Sequence, residues 1–291
     1  MAEHLAPAQY RAAMAAHEDR ANTWVLPHLD RRARGQHHPV WDFLFDYYWL
    51  RPTHLRRWHP GLGRVLDDAA DTPHAASRDY RVVRTTDGGA TVEFDAAAFV
   101  DRHGVAMEEI RELLRGVGKR DAHFDCFGLH EWAMVYRTDA PRHDLPLRLG
   151  RAGTDAVVES HQLKCTHYDA FRFFTPPARP LNLTVLTRER QADNDRAGCV
   201  HVAMDLYKWA TKLGPAVPGE LLLDTFALAR RARKLDMEAS PYDCRELGFG
   251  VVPIETPEGK AEYVRRQREI ADAAEPLRLR LVAILDALLD G

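Results

Sequence analysis

Only one stretch of this chain alternates apolar and polar residues cleanly, RDYRVVRTTDGGATVEFD at 78–95, and it folds back on itself at Asp87-Gly88-Gly89. Asp-Gly supplies the positive-φ geometry of a tight turn, so the segment reads as a β-hairpin near 79–95. Almost everywhere else the apolar spacing is helical. Residues 7–34 carry Met14, Trp24, Val25 and Leu29 on one stripe, and 97–116 carry Phe99, Val100, Met107, Ile110, Leu113 and Leu114. VHVAMDLYKWATKL closes at Gly214-Pro215, and ELLLDTFALARRARKLDM ends at Ser240-Pro241. Thr256-Pro257-Glu258 supplies the N-cap, first-position proline and first-turn acid of a long charged helix, which Pro276 is expected to interrupt. No strand–helix alternation argues for a parallel sheet. The expectation is a mainly α (α+β) fold, one helical domain over 1–291 with a small hairpin, a few short strands and a helical C-terminal part at 199–291.

Weaker signals fill the gaps. VWDFLFDYYWL, between Pro39 and Pro52, puts Phe43, Tyr47 and Leu50 near one helical face, a core stripe. LPLRLG and LNLTVLT look extended, and GVVPIET is a short strand candidate. No run of apolar residues is long enough for a membrane span, and MAEHLAPAQYRAAMAAHEDR lacks the basic start and apolar core of a secretory signal. Cys126, Cys165, Cys199 and Cys244 form no CxxC pair, so they read as free thiols of a cytoplasmic protein.

Charge excludes one class of function. Lys and Arg total 40 against 43 Asp and Glu, a net charge of −3, so the chain does not coat nucleic acid by bulk charge. Local basic runs remain at Arg31-Arg32-Ala33-Arg34, Arg56-Arg57-Trp58-His59 and Arg230-Arg231-Ala232-Arg233-Lys234. Each reads as a solvated face, or as a phosphate-contacting rim where folding joins two of them. LLRGVGKRDA at 113–122 carries a Gly-x-Gly that suits either a helix C-terminus or a hairpin gripping DNA phosphate. There is no phosphate loop, no GxSxG elbow and no HExxH zinc helix.

The 15 histidines concentrate in polar-aromatic clusters. AHFDCFGLHEWAMVYR (122–137) holds His123, Asp125, His130, Glu131 and Trp132, and ESHQLKCTHYDAFRFF (159–174) holds His161, His167, Asp169 and Arg172. If 161–169 is extended, His161, His167 and Asp169 share a face. In the third cluster His201, Asp205, Lys208 and Lys212 recur at helical spacing, and a fourth surrounds Asp236 and Asp243. Two chemistries use such parts. Cleavage of an N-glycosidic bond needs a carboxylate beside an oxocarbenium-like centre and aromatic faces for the base. A non-haem iron site needs histidines and a carboxylate on one side of Fe(II). His167-x-Asp169 with His201, and His161 in the same pool, has that order, although an all-β barrel is its usual host.

Several long motifs resemble one family. HPVWDFLFDYYWLRPTHLRRWHPG (38–61), CFGLHEWAMVYR (126–137), RHDLPLRLG (142–150), HYDAFRFFTPPARPLN (167–182) and GCVHVAMDLYKWATKL (198–213) are similar to actinobacterial proteins labelled 3-methyladenine DNA glycosylase. LDMEASPYD (235–243) and IETPEGKAEYVRRQR (254–268) extend the likeness over nearly the whole chain. The resemblance implies hydrolysis of the bond to an alkylated purine, with DNA or a purine-containing small molecule as partner and no cofactor. Under it, Glu131 or Asp169 would steady the sugar cation or activate water, and His130 or His167 would protonate the leaving base. Trp132, Tyr168 and Trp209 would hold the base, with Arg172, Asp205 and Lys208 completing the substrate site. The chain departs from the family pattern at Asp195-Arg196-Ala197, where acid-Gln-Pro is expected, and at Glu238, where Arg is expected. A charge reversal beside Asp236 and Asp243 points toward a different, small-molecule substrate.

Overall fold

A computed structural model of the chain describes residues 2–48, 51–86 and 88–291. Among them are eleven α-helices and one four-stranded sheet, the mainly α (α+β) class expected from the periodicity. The chain divides into two compact units, Met1–Arg111 with Tyr207–Ala227 and Leu277–Gly291, and Glu112–Leu206 with Leu228–Pro276.

In the first unit the hairpin forms as expected. β3 (Tyr80–Arg84) pairs antiparallel with β4 (Ala90–Phe94), placing Tyr80 opposite Phe94 and Val82 opposite Val92. Asp87, the first residue of the expected turn, lies outside the described residues. β4 also pairs antiparallel with β2 (Arg64–Leu66), and β2 is parallel to β1 (Glu3–Leu5), giving the order β1-β2-β4-β3. Strands of three residues carry too little alternation to be visible in a sequence. Tyr80, Val92 and Phe94 turn inward and are buried.

α1 (Pro7–Ala33) is the long N-terminal helix, followed by α2 (Phe43–Asp46) and α3 (Pro52–Arg56). α2 takes only one turn of the aromatic segment, and Leu50 of the expected stripe lies outside the described residues. Trp24, Phe45, Tyr207 and Phe226 make the aromatic core here, with the Phe226 centroid 5.1 Å from Trp24, 5.5 Å from Phe45 and 4.8 Å from Tyr207. Asp42 ties α1 to this core by accepting from His28 Nδ1 at 2.9 Å and pairing with Arg31. Burial opposes its charge, but Arg31 and His28 hold the carboxyl down to about 2. Arg31 is thus a structural cation rather than part of a solvated run.

Four helices run across the boundaries of the division: α4 (Ala96–Gly118), α9 (Val200–Lys212), α10 (Gly219–Glu238) and α11 (Pro257–Leu289). The second unit adds α5 (Leu129–Ala133), α6 (Gly150–Glu159), α7 (Tyr168–Phe171) and α8 (Gln191–Asn194). α4 continues helical to Gly118, so Gly116-Val117-Gly118 is a last helical turn and not a phosphate-gripping hairpin. LPLRLG and LNLTVLT contribute only the isolated bridges Leu147–Tyr242 and Leu163–Asn182.

Two further expectations are corrected. GVVPIET forms no strand, because Pro253 cannot donate to a ladder and the Val252 amide is taken by the Glu238 carbonyl at 2.7 Å. Pro276 does not end α11, which runs through it while Ile270, Leu281, Leu285 and Leu288 stay buried on either side. Tertiary burial there outweighs one lost helical hydrogen bond. The start of α11 is as expected, with Thr256 Oγ1 accepting from the Gly259 amide at 3.0 Å. A Cβ on Gly259 would fall 1.9 Å from the Pro253 carbonyl oxygen, so only glycine fits. Thr256→Ala is expected to cost about 1 kcal/mol in urea unfolding. Gly259→Ala should cost markedly more, and equal costs would show that the close approach is not rigid.

Candidate metal centre

α9 presents His201 and Asp205 one helical turn apart, both buried. The His201 ring meets His130 edge-on at 4.5 Å between centroids and stacks on His167 at 5.5 Å. Clusters far apart in sequence, 122–137, 159–174 and the start of α9, therefore converge inside the second unit. Gly128, at φ +74, leads into α5 where a Cβ would crowd Tyr263 at 3.2 Å, and this close turn delivers His130 and Glu131 inward.

On one side of His201 lies a closed ion-pair chain. His130 Nε2 lies 2.6 Å from Asp236 Oδ1, and His130 Nδ1 lies 3.4 Å from Cys126 Sγ. Arg233 Nη1 donates to Glu131 Oε1 at 2.8 Å and to Asp236 Oδ2 at 2.9 Å. Burial works against a charged His130, but Asp236 and Cys126 hold its pKa well above the ordinary 6.5. Asp236 is the reciprocal case, penalised by burial yet lowered by His130 and Arg233. His201 goes the other way. Burial, reinforced by His130 and His167, keeps it neutral, and its Nδ1 is a buried atom with no hydrogen-bond partner.

On the other side the donors are arranged differently. His167, at the start of α7, lies with Nδ1 2.9 Å from Asp195 Oδ1, and Gln191 donates to the other oxygen of Asp195 at 3.1 Å. That leaves His167 Nε2 facing Asp205 Oδ2 at 3.7 Å, beyond hydrogen-bonding distance. Donor atoms of His167, Asp169 and Asp205 all lie within 4.8 Å of one another, as do those of His130, His201 and Asp236. Asp169 is also approached by Arg172 Nε at 3.2 Å and Arg188 Nη1 at 3.4 Å, from side chains roughly half exposed.

The two groups differ in what already neutralises them. Asp236 is shared between a charged imidazole and a guanidinium that are both buried, whereas His167 lies between the Asp195 and Asp205 carboxylates and the arginines at Asp169 come from half-exposed side chains. Among the described residues of the second unit, Glu131, Asp169, Asp195, Asp205, Asp236 and Glu238 are buried acids, and Arg233 is the one buried arginine or lysine. Buried charge of one sign calls for paired cations or a metal. An imidazole oriented through Nδ1 by a carboxylate is the usual arrangement of a metal-bound histidine. His167, Asp169 and Asp205 therefore fit a divalent cation better than the first group does.

The remaining expected residues fall elsewhere. His161 Nδ1 lies 2.7 Å from the Val157 carbonyl at the end of α6, and Asp169 has turned into α7, so 161–169 is no single extended face. Trp132 is fully buried, its indole N–H donating to the Ala239 carbonyl at 2.9 Å, a core position rather than an open platform. Tyr168 is half-buried beside Asp169, and Arg172 lies over the Phe173 ring at 4.4 Å. Lys208 and Trp209 belong to the first unit, where the ammonium lies 4.4 Å from the indole centroid. Arg233 and Asp195 were missed as site residues. Arg233 sits in a basic run that looks solvated, and only its position three residues before Asp236 hinted that it faces inward.

No known protein family matches the chain, and neither a curated protein nor a solved structure is significantly similar to it.

Removing Arg233 leaves two buried carboxylates facing each other. Arg233→Met is expected to destabilise the protein by about 3–5 kcal/mol in chemical unfolding. The His130–Asp236 pair should stabilise between two limits. Its contribution fades as pH falls through the depressed Asp236 pKa, and as pH rises through the raised His130 pKa. Asp236→Asn should therefore cost more near pH 6 than in strong alkali, and a pH-independent penalty would overturn the charged pair.

Proposed function

We propose that the chain is a metal-dependent enzyme whose divalent cation is held by His167, Asp169 and Asp205. The observation that carries this reading is the orientation of His167. Its Nδ1 is fixed on Asp195, and its Nε2 faces the Asp205 carboxylate at 3.7 Å. Two ligands of a first-row ion, each about 2.0–2.2 Å from it, stand roughly 3–3.5 Å apart, close to this spacing. One imidazole with carboxylates suits iron or manganese. The two-histidine pattern that suggested Fe(II) in the sequence needed His201, whose donor atom groups instead with His130 and Asp236. When bound, such a cation activates water or oxygen and polarises a substrate oxygen.

The chain's own residues then divide the work. Asp195 holds the His167 ring in one tautomer, and Gln191 holds Asp195. Asp169 is the ligand nearest solvent, flanked by Arg172 and Arg188, whose guanidiniums are placed to meet a negatively charged substrate group. His130, kept charged by Asp236, is a fixed cation behind His201 that adds to burial in keeping the latter neutral. Glu131 is committed to Arg233 and does not suit the role of base. The hydrolysis of an N-glycosidic bond that the resemblance implies draws its carboxylate here from Asp169.

The test is elemental analysis of full-length protein purified without a histidine tag. About one iron or manganese per chain is expected, lost in His167→Ala and Asp205→Asn. Asp195→Asn should retain the ligands but bind the ion roughly 10–100-fold more weakly. Protein that carries no metal and shows no heat of binding with Fe(II), Mn(II) or Zn(II) would overturn the reading.

A further inference from the structure

The first unit contains a cavity of about 630 Å³ built on the segment Arg56-Arg57-Trp58-His59, with His74, Ser77 and Tyr80 on its wall. Its volume is that of a small-molecule site. Arg57, His59 and Ser77 also line a second space of about 160 Å³, so these three side chains stand at the place the two share.

His59 Nδ1 lies 2.7 Å from the Tyr80 hydroxyl, with the rings stacked at 6.0 Å. Burial keeps the Tyr80 proton on the phenol, and among the described residues that O–H has no other acceptor. Tyr80 therefore donates to His59 Nδ1. Burial also drives the His59 pKa down to about 3, so the ring is neutral and its one proton sits on Nε2. That N–H makes no hydrogen bond among the described residues, and it belongs to a ring lining the cavity.

Arg57 completes the arrangement. Arg56, its neighbour, is paired with Glu18, which neutralises the acid in the cavity wall. Arg57 is exposed and makes no ion pair among the described residues. His74 donates Nε2–H to the Trp58 carbonyl at 3.0 Å, and its buried Nδ1 has no partner. A neutral N–H donor held rigid by Tyr80, a guanidinium without an acid, and apolar walls from Met14, Pro73 and Ala76 make a polar head site beside an apolar slot.

We propose that this cavity binds a small molecule through an oxyanion group, carboxylate or phosphate, seated on Arg57 and His59 Nε2–H, with an apolar body against Met14, Pro73 and Ala76. A guanidinium fork matches two oxygens of such a group, and a neutral imidazole N–H supplies a third hydrogen bond. The site lies wholly within the first unit and does not depend on the metal reading of the second.

The experiment titrates phenyl phosphate, benzoate, inorganic phosphate and benzyl alcohol into full-length protein labelled with ¹⁵N-histidine, following the His59 Nε2 resonance. Saturable shifts are expected with phenyl phosphate, benzoate or both. Inorganic phosphate should bind at least tenfold more weakly for want of an apolar body, and benzyl alcohol should not shift the resonance. A tenfold preference for phenyl phosphate assigns the head group as phosphate, and the reverse preference assigns it as carboxylate. Arg57→Gln should weaken binding at least tenfold with the melting temperature unchanged, since Arg57 is exposed and unpaired. Equal binding of benzyl alcohol, undiminished binding by Arg57→Gln, or no shift with any probe would overturn the proposal.

Discussion

The interior of the second unit depends on how its buried acids are neutralised. Among the described residues six are buried there, Arg233 is the one buried guanidinium, and Asp169 and Glu238 draw on the less buried Arg172, Arg188 and Arg266. Arg233 reaches two of them, Glu131 and Asp236, and Asp236 in turn keeps His130 charged. A buried ion pair adds little net stability, because desolvation consumes most of the Coulomb attraction. Its consequence is geometric. With Glu131, Arg233, Asp236 and His130 bonded in series, α5 and α10 have one relative placement that leaves no charge bare. The register of that interior follows from charge satisfaction as much as from packing.

His201 links the two sides of the cluster. A charged His130 on one face and the His167 ring on the other both disfavour a proton on His201. Burial is the larger cause of that neutrality, and the charged His130 of the ion-pair chain reinforces it. Neutral imidazole is the metal-binding form, and carboxylates bind metal only when ionised. The His130, His201 and Asp236 group has comparable spacing but already carries cationic charge, on its own His130 and on Arg233 beside it.

Much of this was legible in the sequence, and the illegible part has physical reasons. The hairpin and the cap of α11 could be read because turn and capping chemistry are local: Thr256 bonds an amide three residues away. The convergence of 122–137, 159–174 and the start of α9 was visible only as local density of His and acid. Spacing within each cluster does not say which member faces another cluster. His161 and His167 are six residues apart in the same motif, yet one caps α6 and the other meets Asp195. Arg233 looked solvated because four other residues of its run are polar or small. A charge that folding turns inward leaves no mark on composition. Pro276 and GVVPIET failed for the opposite reason, since local rules read correctly there were outweighed by tertiary burial and by a carbonyl from α10.

The histidines make the same point about function. His130, His201 and His59 are all deeply placed, yet Asp236 holds the first charged while burial leaves the other two neutral. Within the neutral pair the partner decides the rest. Tyr80 donates to His59 and so turns that ring into a donor at Nε2, whereas His201 offers an unbonded Nδ1 among aromatic rings and carboxylates. The same side chain is thus a fixed cation, a hydrogen-bond donor or a neutral ring with an unbonded nitrogen, according to its neighbours. A count of fifteen histidines marks a chain rich in such choices, but the choice itself is made by whichever acid or hydroxyl the fold brings to the ring.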